Sequence, residues 1–156
     1  MNNTVILIPA RLAATRLPNK PLLKINNMSI INHVYKIAKS SLVGQCYVAT
    51  GDKEIKNVIE FNGGKVILTK KNHKNGTYRI AEAISCMDCS HVILVQGDEP
   101  LLIPNYIDIF ARQMMKTRSE KMWNGVTRFD EMNNIDEHSL VTVSYTHLTL
   151  PTKRIV

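Results

Sequence analysis

Four short apolar runs alternate with segments of helical period, and this alternation constrains the fold more than any other feature of the chain. Thr4–Ile8, Cys46–Ala49, Lys65–Leu68 and His91–Val95 have the length of buried strands. Between them, Ile30, Ile31, Val34, Ile37 and Ala38 recur at helical spacing, with Ser29 placed as an N-cap. Ile55, Val58 and Ile59 mark a second helix after Asp52, ended by Asn62-Gly63-Gly64. Ile80, Ala81, Ile84 and Met87 mark a third. Ile107, Phe110, Ala111 and Met114 mark a fourth, with Pro104 in its first turn. The order β-α-β-α-β-α-β-α predicts an α/β fold, a mostly parallel sheet flanked by helices and joined by right-handed connections. Ligands of such sheets sit beyond the carboxyl ends of the strands. The loops to read are therefore 9–20, 50–53, 70–79 and 96–104.

The pattern weakens after about residue 117, where 126–129 and 140–143 are candidate strands. Residues 144–156, SYTHLTLPTKRIV, form a Thr-rich alternating run with no helix to complete a βαβ unit. We read 1–143 as the native part of the domain and 144–156 as a non-native read-through tail. The formal charge is +7. Without Lys153 and Arg154 it falls by two, and no block of five like charges occurs. The densest basic stretch, KKNHK at 70–74, has no interleaved aromatic residue, which disfavours single-stranded nucleic acid as a partner. No apolar stretch approaches a membrane span. The start MNNTVILIPAR lacks a basic region before its apolar run, and the three cysteines are an odd number. Both point to a cytoplasmic chain with reduced thiols.

Neither G-x-G-x-x-G nor G-x-x-x-x-G-K-[ST] is present, which argues against a dinucleotide oxidoreductase and a P-loop NTPase. The first loop offers side-chain cations instead. IPARLAATRLPNKPL carries Arg11, Arg16 and Lys20 among Pro9, Pro18 and Pro21. Arginine grips phosphate oxygens through paired donors and lysine acts as a point charge. The prolines lower the entropy lost when the loop orders around an anion. After the fourth strand, QGDEP places Asp98 and Glu99 at the mouth of the same site. Carboxylates facing a phosphate-filled cleft need a cation between them, and Mg2+ is the natural one. HKNGTYRIAEA, 73–83, brings His73, Thr77 and Arg79 to a helix start, with Thr77 the candidate cap. Cys86 and Cys89 make one C-x-x-C pair near a helix end. That is too few ligands for zinc and the wrong place for a redox motif.

Together, IPARLAATRLPNKPL, VATGD, HKNGTYRIAEA and VQGDEPLL resemble the signature segments of the 3-deoxy-manno-octulosonate cytidylyltransferases, in that family's order and spacing. The resemblance covers about residues 4–143. It implies a Rossmann-like nucleotidyltransferase fold, usually a homodimer, that transfers CMP from CTP to 3-deoxy-D-manno-octulosonate (Kdo) for lipopolysaccharide biosynthesis. It further implies that Arg11 and Lys20 bind the triphosphate with Arg16 nearby. Asp98 would hold magnesium, Gln96 would face the sugar, and Thr77 and Arg79 would lie by the nucleotide. Three positions depart from the family pattern. Ala14 stands where the family usually has Ser, Tyr78 replaces an acid, and Gly51 replaces the first acid of a VATDD-like segment. Family members also continue well beyond this length, with a later Asp that binds metal and further sugar contacts. The chain is thus expected to be truncated at the C-terminus and inactive alone. Two alternatives stay open: a cytidylyltransferase for sialic acid or an amino-Kdo, and a basic nucleic-acid-binding module.

Overall fold

The computed structural model describes residues 3–13 and 17–116 and the backbone of 154–155. Its main sheet has five strands: β1 (Thr4–Ala10), β4 (Cys46–Thr50), β5 (Val66–Leu68), β6 (His91–Leu94) and β7 (Arg154–Ile155). The order across the sheet is β5-β4-β1-β6-β7, and every pairing is parallel. The candidate strands at 126–129 and 140–143, and the boundary at 143, lie outside the described residues. At the far edge, Arg154 and Ile155 pair with His91 and Val92.

β1 is central, and its sequence shows why. Val5 and Leu7 join Ala49, Ile80, Ala83, Ile84 and Val92 on one face. Ile6 and Ile8 join Ile31, Val34, Val48, Ile55, Ile59 and Ile107 on the other. A strand covered on both faces has no polar side to show, so it reads as an unbroken apolar run. Helix α3 (Gly76–Ser85) covers the first face. Helices α1 (Ile30–Lys39), α2 (Lys53–Phe61) and α4 (Pro104–Lys116) cover the second. The four helices and four strands expected from periodicity are all present.

Three local details differ from expectation. β1 does not stop at Pro9 but runs on to Ala10, with Pro9 opposite Ala49. The Ile6 amide bonds towards β4, and the Leu7 carbonyl accepts from Val95 beyond β6. Alternation then turns Pro9 to the β6 side, where that strand has already ended at Leu94, so its missing N–H costs no ladder bond. Ser29 precedes α1 with extended backbone but makes no capping bond, and its Oγ is buried without a partner. Unforeseen elements also fill 20–29: a 3-10 turn at Lys20–Leu22 and an antiparallel pair of β2 (Lys24–Ile25) with β3 (Met28–Ser29). Asn26 and Asn27 turn that hairpin with φ of 47° and 65°, as a two-residue loop requires.

Candidate active site

The order β5-β4-β1-β6 fixes where a ligand goes. Chain order runs outward from β1 in both directions, so the loops leaving β1 and β6 diverge and open a crevice between them. A cleft of about 300 Å³ lies there. Pro9, Ala10 and Arg11 line it from β1, Lys20 and Pro21 from the 3-10 turn, and Gln96, Gly97 and Asp98 from beyond β6. The start of α3 closes the third side with His73, Asn75, Gly76 and Arg79.

Close approach of the two loops depends on Gly97. A Cβ there would lie 2.8 Å from the Pro9 carbonyl oxygen and 3.3 Å from Ile31 Cδ1, so only glycine lets the chain pass this near β1. Across the cleft, Lys20 Nζ donates to Asp98 Oδ2 at 2.7 Å. The lysine expected for the triphosphate and the carboxylate expected for the metal are therefore each other's partner. Both remain accessible, with side chains 38% and 51% exposed. Neighbouring Glu99 is held above the ordinary carboxylate range by partial desolvation first and by the charge of Asp98 second.

Arg79 lines the cleft but is buried to 2% exposure. Its Nη1 donates to Thr69 Oγ1 at 2.6 Å and to the Lys70 carbonyl at 3.1 Å, and its Nη2 to the Lys71 carbonyl at 2.9 Å. Much of its donor capacity thus pins the 69–71 segment. Burial lowers its pKa, Asp52 opposes the lowering, Arg11 adds to it and Glu82 opposes it. Glu82 accepts the Lys70 amide at 3.1 and 3.2 Å. It also lies 2.6 Å from His73 Nε2, without the alignment of a hydrogen bond.

Thr77 is half-buried in the second position of α3 and is not the cap. The cap is Asn75, whose Oδ1 accepts from the Tyr78 amide at 3.0 Å. Asparagine is the stronger cap, and its position one residue before Gly76 was the signal available in the sequence. Tyr78, the departure from the family's acid, is 45% exposed. Arg16 and Ala14 lie outside the described residues. Arg11, Lys20, Arg79, Gln96 and Asp98 line one cleft.

Asp52, the last residue of VATGD and the one before α2, is also part of this corner. The Asp52 carboxylate is buried, and its Oδ2 accepts from the Leu12 amide at 2.8 Å. Nothing in the local pattern signals a contact spanning 40 positions.

The family model for cytidylyltransferases matches residues 5–148. The chain belongs to the cytidylyltransferase family. The 3-deoxy-manno-octulosonate cytidylyltransferase of Thermodesulfovibrio yellowstonii is 37% identical over 151 residues, covering 91% of this chain and 59% of its own. The 8-amino-3,8-dideoxy-manno-octulosonate cytidylyltransferase of Shewanella pealeana is 46% identical over 110 residues, covering 68% of this chain and 45% of its own. Among solved structures, a CMP:2-keto-3-deoxy-manno-octonic acid synthetase complexed with CTP superposes with a TM-score of 0.73. It is 35% identical and is aligned over 76% of this chain and 49% of that one. The chain spans about half the length of these cytidylyltransferases. No described helix is long and apolar enough to cross a membrane.

Proposed function

We propose that the cleft binds CTP and serves cytidylyl transfer to Kdo, giving CMP-Kdo and pyrophosphate for lipopolysaccharide biosynthesis. The observation that carries this reading is the Lys20–Asp98 contact at the β1/β6 crevice, a cation and a carboxylate poised where a nucleotide of this fold would lie. Arg11 and Lys20, with Arg16 from the same loop, neutralise the triphosphate. Gln96 faces the sugar acid, and Thr77 and Arg79 lie on the nucleotide side. The sugar's anomeric hydroxyl attacks the α-phosphorus and gives up its proton to solvent, the bond to the bridging oxygen breaks, and pyrophosphate leaves with that electron pair. Fixed cations that hold both ends in line supply most of the acceleration.

The residues present fit Mg2+. No cluster of three or more metal-ligating His, Cys, Asp or Glu side chains exists among the described residues. Magnesium needs no such cage when phosphate oxygens and water complete its shell around one or two carboxylates. Asp98 is that carboxylate, and bound Mg2+ would offset charge on the phosphates and leaving group.

The whole reaction, a cytoplasmic location and a homodimer are part of the same proposal. Because the chain spans about half the length of its relatives, we propose that it binds CTP but turns over little sugar alone. We propose likewise that 144–156 is a non-native tail, which sequencing of the source locus past codon 143 decides. Calorimetry with CTP and Mg2+ tests binding, and pyrophosphate release tests transfer. Kdo, 8-amino-Kdo and sialic acid are compared as acceptors. 8-Amino-Kdo is among the acceptors because a relative named for that sugar is 46% identical over 110 residues. Oligonucleotide binding that falls steeply with salt and is not displaced by CTP would instead favour a nucleic-acid module.

A further inference from the structure

We propose that Asp52 is a positioning residue for the triphosphate loop, acting through the Leu12 amide without touching the ligand. The inference rests on the CTP reading above. An aspartate at the start of a helix ordinarily turns its carboxylate back onto the second or third helical amide. Asp52 occupies that position before α2 and makes no such bond. Its Oδ2 reaches across to Leu12 N at 2.8 Å. The side chain sits at 6% exposure, where an ionised carboxylate is costly unless partnered. Its own amide donates to Thr50 Oγ1 at 3.1 Å.

What this bond controls follows from covalent geometry. The Leu12 N–H belongs to the peptide unit joining Arg11 to Leu12, and that unit is planar. Fixing its N–H direction fixes ψ of Arg11, the residue at the mouth of the cleft. Asp52 also lies close enough to Arg79 to stabilise its charge, while Arg11 destabilises it. One buried carboxylate thus offsets repulsion between two cleft arginines and aims the backbone of the exposed one.

The corner cannot swing away from this duty. A Cβ on Gly51 would stand 2.5 Å from Lys71 Cα and 2.7 Å from the Lys70 carbonyl oxygen. The 69–71 segment that presses on Gly51 is itself held by Arg79 and Glu82. Thr69 N donates to the Thr50 carbonyl at 2.9 Å. Thr50-Gly51-Asp52 is therefore wedged between the two loops that flank the cleft. The glycine at the family's acidic position is what lets the 70–71 backbone pass this close.

The test compares the full chain with Asp52→Ala and Asp52→Asn. CTP and cytidine affinities are measured by calorimetry in Mg2+, and exchange of the Leu12 amide by NMR or mass spectrometry. In Asp52→Ala, Leu12 exchange accelerates, and CTP affinity falls about tenfold, the scale of one lost charge-assisted hydrogen bond. Cytidine affinity, which needs no phosphate contact, stays within about twofold. Asp52→Asn keeps an oxygen that accepts the Leu12 N–H, so it recovers Leu12 protection and part of the CTP affinity, the rest being lost with the charge that offsets Arg11 and Arg79. Equal losses for CTP and cytidine would make Asp52 merely structural and overturn the proposal, as would unchanged Leu12 exchange. If the unsubstituted chain fails to bind CTP, the cytidylyl-transfer reading fails, and Leu12 exchange in the two variants still decides whether Asp52 holds the loop.

Discussion

Lys20→Gln separates the cleft's binding role from any role in folding. The substitution removes a contact of 2.7 Å between side chains 38% and 51% exposed. Ion pairs this accessible are worth roughly 0.2–1 kcal/mol. The melting temperature should therefore move by less than about 4 °C. Facing a triphosphate, the same ammonium makes charge-assisted hydrogen bonds worth roughly 1.5–3 kcal/mol, so CTP should bind about tenfold to a hundredfold more weakly. A third effect has the opposite sign. Freed of its lysine, Asp98 should bind Mn2+ alone up to about fivefold more tightly, since the metal no longer competes with Lys20. Calorimetry with CTP at fixed Mg2+, a Mn2+ titration without nucleotide and a thermal melt give the three numbers. Unchanged CTP affinity, or weaker binding of Mn2+ alone, would refute the reasoning. The double variant with Asp98→Asn should show non-additive losses, because the two groups share one contact.

Gly97→Ala should weaken CTP binding more than it lowers the melting temperature, because its methyl group meets the Pro9 carbonyl and pushes the Asp98 loop from β1. Ile6→Ala, at a fully buried position in the central strand, should cost about 2–5 kcal/mol in urea denaturation and leave the CTP affinity of the folded fraction unchanged. Thiol labelling of the native chain should modify exposed Cys86 first. Cys46 stays silent until unfolding, since burial pushes its thiol up to about 12. Glu99 adds a pH dependence. Its folded pKa is raised, so its contribution to stability is fully present below the unfolded carboxylate value and is lost as pH rises through the folded one. Glu99→Gln should remove that slope from the denaturation midpoint measured across the acid range, and wild-type behaviour in the variant would count against it.

The sheet was legible because burial on two faces leaves β1 and β6 apolar after their first residues, Thr4 and His91, and period alone places α1 to α4. The cleft was legible where its chemistry sits on consecutive residues: the cations after β1 and the QGDEP turn after β6. Other parts were hidden by distance. Asp52 and Glu82 gain their roles from contacts 40 and 12 positions away, and nothing beside them in the chain records those partners. Local chemistry misled at Thr77 and Ser29, where a hydroxyl near a helix start looked like a cap. Asn75 took the first position and tertiary packing buried the second. The hairpin at 24–29 has strands too short for any period, and only Asn26-Asn27 marks it. The apolar run ends at Ile8, but Pro9 faces the side of the ladder that needs no N–H, so β1 runs on to Ala10.

The pairing of β1 with β6 has a kinetic consequence. Thr4 lies beside His91, so the first strand of the chain waits for one made some 87 positions later before its second edge is covered. Arg11 and Leu12 can hang from β1 and Asp52 early, but the wall bearing Gln96 and Asp98 arrives only with β6. Closing so long a loop is slow. The cleft is thus among the last features of the molecule to form. A nucleotide that recognises it would bind the finished fold and not its precursors, stabilising the chain by mass action.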